Sequence, residues 1–422
     1  MNEKLLQFIW QFRHFSNTCL YTVDERAITI IHPGVHNKNQ GPDFSGAKIK
    51  IGNTLWAGNI ELHILSSDWN RHRHNADKNY SNIILHAVWQ HDVDIRDDNG
   101  EIIATLELQH YVPKMLMEKY RQLMHEKDFA ACKNHLPLLS EIGWLAWKER
   151  LAAERLYNKA ALATAYLKQT GNNWEETFWW MLAKAFGAKV NSDIFLQVAQ
   201  SLPLKLLVRH KQQIHQLEAL LFGQASLLTK HCTDDYSCML FKEYSFLAKK
   251  YSLQPVKKRP DFLRMRPANF PSIRLAQLAV LIKNSSHLFS KIKLLNDPAD
   301  AEKLFQITAN DYWHYHYMFG DETNYKPKKL GETFIQGIII NTIIPVFFAY
   351  GSVNDDESIK SKAIHWLAQM PAEKNNITKE WEKAGITNSN ALDSQSLIEL
   401  KNNYCNHKRC LECTVGYKLL KE

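Results

Sequence analysis

Asp43, Glu61 and His63 stand in the stretch GPDFSGAKIKIGNTLWAGNIELH, residues 41–63, and their types and spacing suit a hydrolytic metal site. Asp43 precedes one strand-like run, and Glu61 lies inside the next. A hairpin of these runs brings the two carboxylates together. Bare carboxylates a few ångströms apart repel, and one of them takes up a proton. A divalent cation removes that conflict, and Mg²⁺ binds through one or two carboxylates while keeping waters for chemistry. His63 is two residues past Glu61, so both side chains point to one face of a strand. Its imidazole suits positioning of a water, binding of phosphate when protonated, or ligation of a softer ion such as Mn²⁺ or Zn²⁺.

The continuation SSDWNRHRHNADKNYSNIILHAVW adds a supporting pocket of Asp68, His72, His74, Tyr80 and His86. His72-x-His74 would supply metal ligands from an extended segment or contact phosphate. His86 would face the same pocket from the following strand. Blander readings stand beside these. Asp43 is also a common turn residue after Pro42, Glu61 an exposed strand position, and His72 and His74 part of a polar surface loop. His86 is also readable as a core histidine bonded to a backbone carbonyl.

The elements needed to position these residues are legible. Residues 3–14 carry Leu5, Leu6, Ile9, Trp10 and Phe12 at helical spacing. Short β-branched runs at 27–32, 47–52, 57–65 and 82–89 predict strands, with a helical stretch near 67–73. Asn99-Gly100 between alternating runs predicts a hairpin over 92–108. Beyond about Pro113 the pattern turns helical and stays so to about residue 400. The division expected is an αβ domain over 1–115, a mainly helical region over 116–400 and a Cys-bearing tail over 401–422.

The order helix, three strands, helix, strand, with Asp43 at one strand's start and Glu61-x-His63 on the next, resembles the PD-(D/E)xK nuclease superfamily. That resemblance implies an α+β fold with a restriction-endonuclease-like αβββαβ core. It implies Mg²⁺ or Mn²⁺ held by Asp43 and Glu61 and hydrolysis of phosphodiester bonds in DNA or RNA. A core helical Glu of the superfamily would match Glu3. The departure is at position 63, where that family usually has Lys and this chain has His. Three other readings remain open: a fold that binds nucleic acid without cutting, a site where His63 acts as a cation, and a His-rich metal hydrolase of small molecules. The stretches HPGVHNKNQGPDF, ERLAAERLYNK, RMRPANFPSIRLAQLA and NYCNHKRCLECTVG further resemble a bacterial family catalogued as domain of unknown function 2851, which implies no activity.

Residues 201–275 hold 13 Lys and Arg against 5 Asp and Glu, equal to the whole chain's net charge of +8. Within them Lys257, Lys258, Arg259, Arg264, Arg266 and Arg274 alternate with Phe262, Phe270 and prolines, a composition suited to nucleic-acid phosphates and bases. The alternative is a proline-rich connector with a solvated basic face. The aromatic run YWHYHYMFG, 312–320, reads as core packing with a polar edge, or as a base-stacking platform.

Cys405, Cys410 and Cys413 form a Cys-x4-Cys-x2-Cys run. With His407 or the distant Cys132 they would complete a Zn²⁺ site. They also resemble the Cys sets that hold 4Fe-4S clusters in some nucleases of the superfamily. Cys232 and Cys238 are expected to pack as small apolar groups. Seven cysteines without a secretory leader pattern fit a reducing cytoplasm. The apolar run Gly337–Tyr350 is expected to be too short to span a membrane, so no membrane partner is expected.

Overall fold

The computed structural model describes residues 1–97, 99–263 and 265–421, so Arg264 lies outside the described residues. The chain forms two compact units, one of residues 1–144 with 401–422 and one of residues 145–400. Residues 401–422 thus fold with the N-terminal unit.

The first unit opens with α1 (Glu3–Gln11), whose Leu5, Leu6, Phe8, Ile9 and Trp10 are buried. Asn2 caps it, its side chain accepting the Leu5 N–H at 2.9 Å. The helix stops short of the expected residue 14 because Arg13 turns left-handed at φ 53°. A sheet follows, made of β1 (Leu20–Tyr21), β2 (Ala27–His32), β3 (Val35–His36), β4 (Phe44–Ile51), β5 (Thr54–Leu65), β6 (Ile83–Gln90) and β7 (Thr105–Glu107). Its order is β1-β2-β4-β5-β6-β7, with β3 paired to β4. β2, β4 and β5 run antiparallel, whereas β6 is parallel to both β5 and β7. A parallel neighbour needs a crossover. Here α2 (Asp68–Arg71) and two short 3-10 turns supply it. The mixed α+β order of helix, three antiparallel strands, helix and parallel strand is therefore present.

Two local expectations are corrected. The hairpin over 92–108 shrinks to one antiparallel bridge between Arg96 and Ile102, and Thr105–Glu107 pairs in parallel with β6 instead. The backbone N–H of His86 is already committed to Ala104 O at 2.9 Å, which draws the chain onto β6 and away from a longer hairpin. The segment carrying His72 and His74 is not extended. His72 caps α2, Arg73 is left-handed at φ 59°, and His74 opens a 3-10 turn.

The second unit is helical, with a core that includes Phe186, Phe222, Phe305, Trp313, Phe347 and Trp366. Cys232 and Cys238 are not separate apolar fillers; their sulfurs are joined as a disulfide that ties the segment before the helix Asp235–Tyr251 to its first turns. The apolar run continues as helix from Glu332 to Val353, with a π turn at Ile339–Ile343. At 22 residues it is longer than expected, long and apolar enough to cross a membrane, and 67% of its apolar window is buried. Trp313 of the aromatic run stacks on Phe222 inside the core, and Tyr312 stacks on His316.

Candidate metal centre

β5 is the organising strand. Glu61 and His63 share a face, and parallel pairing sets His86 of β6 beside Glu61. All three are buried, at 5%, 1% and 0% exposure. Such burial is unusual for polar side chains and demands partners.

Four side chains converge. His63 Nε2 lies 3.1 Å from His72 Nδ1 and 3.3 Å from His74 Nε2. Glu61 Oε1 lies 3.8 Å from His63 Nε2 and 3.5 Å from His74 Nε2. One ring nitrogen each of His63, His72 and His74 falls within 4.8 Å of the other two. With bonds of about 2.0–2.1 Å, a tetrahedral Zn²⁺ site has ligand atoms about 3.3–3.5 Å apart. The His63–His72, His63–His74 and Glu61–His74 separations are near that scale, with Glu61 beside the three-histidine group and not within it.

The backbone explains the convergence. Residues two apart on an extended strand share a face, but 72 and 74 are not on a strand. The left-handed Arg73 folds the chain back so that both imidazoles return to His63. A non-glycine residue in that conformation costs on the order of 1 kcal/mol, so the turn is held by its surroundings. Trp69 is one of them. It is buried at 2% exposure and packs edge-on against His63, His74 and His86. Its indole N–H donates to Asn75 Oδ1. Tyr80 covers the other side, its ring centroid 3.9 Å from that of His74.

His86 stands behind His63, with Nε2 at 2.8 Å from His63 Nδ1. That contact leaves His63 Nε2 facing the cluster, the way an outer partner fixes the tautomer of a ligating histidine. The other nitrogen of His86, Nδ1, is buried without a hydrogen-bond partner.

Asp43 holds Glu61 in place. Its N–H donates to Glu61 Oε2 at 3.0 Å, which leaves Oε1 to face the histidines. Its own carboxylate accepts from Gln7 Nε2 at 2.8 Å and from the Leu62 N–H at 3.2 Å. Asp68 turns away: it accepts the Leu65 N–H at 3.1 Å and pairs with Arg71 at 2.8 Å. It shapes the crossover and does not join the cluster. Gln7, Trp69 and Asn75 were not singled out by the sequence; only their place in the fold gives them a role.

Burial shifts the acid–base groups of the cluster away from their ordinary values. Burial, then the Asp43 charge, pushes the Glu61 carboxyl well above the usual range, and burial raises Asp43 too. The Glu3 charge adds to both shifts, which puts Glu3 within electrostatic reach of the pair. Burial, then neighbouring imidazoles, lowers His63 to about 2, His74 to about 4 and His86 to about 3. Burial also raises the Tyr80 phenol. These three imidazoles are therefore neutral near pH 7, the form that ligates.

The whole cluster falls within a match to the family model described as Protein of unknown function (DUF2851), over residues 3–376. The chain belongs to the DUF2851 family. The matched region of this DUF2851 member ends ahead of the C-terminal cysteines. No curated protein and no solved structure matches the chain.

The basic residues from 257 to 274 belong to the second unit. Lys257, Lys258, Arg259 and Arg266 are exposed. Arg274 is not part of that surface. It is buried at 6% exposure, donates to Asn269 at 2.6 Å and Gln277 at 3.0 Å, and lies over the Phe334 ring. The reason is local: Arg274 sits in the first turns of the helix Pro271–Asn284, which is buried along most of its length.

Proposed function

We propose that this chain is a transition-metal-dependent phosphodiester hydrolase, with Glu61, His63, His72 and His74 around the ion. The observation that carries the reading is the convergence of three imidazole nitrogens within 4.8 Å of one another, with the Glu61 carboxylate 3.5 Å from His74 and 3.8 Å from His63. Three nitrogens and one oxygen suit Zn²⁺ or Mn²⁺ better than Mg²⁺, which prefers oxygen ligands. The expected Mg²⁺ pair of Asp43 and Glu61 is thereby recast: Glu61 faces the ion and Asp43 positions Glu61.

A divalent cation held there would polarise a phosphoryl oxygen and lower the pKa of a water. Glu61 Oε1 is placed to take a proton from that water, since its other oxygen is fixed by the Asp43 N–H. His86 holds His63 in the tautomer that keeps Nε2 toward the cluster. His72 is the exposed member, so substrate reaches the site from its side. The phosphodiester substrate class is supported by the αβββαβ strand order and by Asp43 and Glu61 at the positions where PD-(D/E)xK nucleases carry their acids.

A second reading is favoured by the count of donors. If Glu61 ligates together with the three histidines, four protein ligands close the site, as in structural zinc centres. The chain would then bind nucleic acid through its exposed basic residues without cutting it.

The test is cleavage of labelled single- and double-stranded DNA and RNA, and of a small phosphodiester, with Zn²⁺, Mn²⁺ or Mg²⁺. Wild type is compared with Glu61→Gln and His63→Ala. Cutting lost in both variants supports the hydrolase. Tight zinc with no cutting of any substrate overturns it and leaves the closed-site reading. Cutting of the small ester alone moves the substrate away from nucleic acid.

A further inference from the structure

Four of the seven cysteines meet far from the histidine cluster in sequence. Cys405, Cys410 and Cys413 come from the C-terminal segment, and the fold of the first unit brings Cys132 to them. Lysines tie the two stretches together: Lys401 donates to Phe129 O at 2.6 Å, Lys408 to Leu123 O at 3.3 Å and Lys418 to Leu138 O at 3.1 Å. The four cysteines line one small cavity, walled also by Tyr404 and Gly416. His407 is exposed and is not among the lining residues.

We propose that Cys132, Cys405, Cys410 and Cys413 ligate an iron–sulfur cluster seated in the cavity they line. Three observations separate this from four packed thiols or a zinc ion. First, all four cysteines are free of disulfides, although the chain forms one elsewhere. Second, the sulfurs stand too far apart for a single ion. Four thiolates bonded to Zn²⁺ at about 2.3 Å bring their sulfurs to about 3.8 Å from one another and leave no space between. Among the described residues, the three-ligand group drawn within 4.8 Å is the histidine one, and no three of these sulfurs are. A cluster interposes several iron and sulfide atoms, so its cysteines stand further apart around a filled centre.

Third, the backbone is shaped toward the sulfurs. The Val415 and Gly416 amides, at the start of the helix Thr414–Lys421, face the Cys413 sulfur. Amide bonds to ligating sulfur are one of the levers that set cluster potential. Gly416 lets that helix start close in: a Cβ there would meet the Cys410 carbonyl oxygen at 2.1 Å. Burial raises all four thiols, and every pair among them interacts electrostatically. Each thiol gives up its proton on ligation, and the cluster's positive charge replaces it.

The experiment is anaerobic purification of the full chain, followed by reconstitution with ferrous iron and sulfide. Visible absorption, iron and acid-labile sulfide counts, and electron paramagnetic resonance after dithionite are the readouts. The expected result is about two or about four irons per chain with equal sulfide. Cys132→Ser, Cys405→Ser, Cys410→Ser and Cys413→Ser should each lose most of the iron and sulfide. Cys19→Ser, at an exposed free cysteine outside the cavity, should keep both. Circular dichroism identifies any variant that fails to fold. Stoichiometric zinc without sulfide overturns the cluster, as does a folded wild type that stays colourless after reconstitution. Retention of the cluster in folded Cys132→Ser also overturns the four-cysteine assignment.

Discussion

The Nε2 atoms of His63 and His74 face each other at 3.3 Å. Both rings are held neutral chiefly by burial, then by neighbouring imidazoles, His86 and His74 beside His63 and His72 beside His74. One proton between them satisfies a single pairing, while His72 Nδ1 at 3.1 Å and Glu61 Oε1 at 3.5 Å still point at the same space. One cation satisfies all of them. Removing a ligand should therefore cost more than removing its support. His63→Ala, His72→Ala and His74→Ala are each expected to weaken Zn²⁺ binding more than His86→Leu, for which a loss of about 10–100-fold is expected. Competition against a chromophoric chelator reads these affinities. If His63→Ala binds zinc as wild type does, the cluster is not the site.

Metal binding should release a proton, and its source is specific. Glu61 is raised by burial and by Asp43, so it carries a proton in the unliganded chain near pH 7. His63 and His74 are already neutral and have none to give. Titration calorimetry in buffers of different ionisation enthalpy should show release of about one proton per Zn²⁺ bound near pH 7. Glu61→Gln should abolish the release. Affinity should rise with pH while that proton is being lost. An unchanged buffer dependence in Glu61→Gln would assign the proton elsewhere.

The same burial makes the chelated protein sensitive to acid. A histidine whose folded pKa lies below its unfolded value of about 6.5 binds fewer protons folded than unfolded. Stability is then fully present above pH 6.5 and falls as pH drops through the window down to the folded values. Those values are about 4 for His74, about 3 for His86 and about 2 for His63. Glu61 has the opposite sign: its raised folded pKa gives stability at low pH that is lost as pH rises above the ordinary carboxylate range. Asp43, raised to about 6, has the same sign as Glu61, and three histidines outweigh the two carboxyls between about pH 6 and pH 5. The melting midpoint in EDTA should fall from about pH 7 to about pH 5, and His86→Leu should flatten that fall. A midpoint that rises on acidification would show that Glu61 dominates.

The strand order and the shared face of Glu61 and His63 were legible because the sequence alternates over 60–64, although Ile60 to His63 of β5 are buried on both faces. His86 was legible for the same reason, as the next strand in order. The convergence of His72 and His74 was not, since it depends on a left-handed Arg73, and arginine carries no sequence signal for that conformation. The role of Asp43 was half legible. Its place before β4 could be read, but not that its N–H would bind Glu61 while Gln7 and Leu62 occupied its carboxylate. The disulfide at Cys232 and Cys238 was missed because Cys232 precedes the helix Asp235–Tyr251 and Cys238 lies in its first turns, and the sequence does not show how the chain ahead of that helix folds back onto it. Arg274 was misread because composition marks a basic stretch without saying which members point inward.

Arg274 gives the sharpest test of that last distinction. Its guanidinium is buried, bonded to Asn269 and Gln277 and stacked on Phe334, and burial lowers it to about 10. Arg274→Ala removes that packing and leaves the buried Gln277 contact and the Asn269 contact unmade. A loss of roughly 2–4 kcal/mol is expected, read as a lower denaturant midpoint. Exposed Lys257, Lys258, Arg259 and Arg266 should behave differently. Changing each to Ala should shift stability by less than about 0.5 kcal/mol. If this surface holds nucleic acid, each change should also lower the slope of log affinity against log salt by about one. The two measurements together decide the outcome. A salt slope unchanged across all four exposed variants would remove nucleic acid from this surface, and a stable Arg274→Ala would show that its buried contacts contribute little.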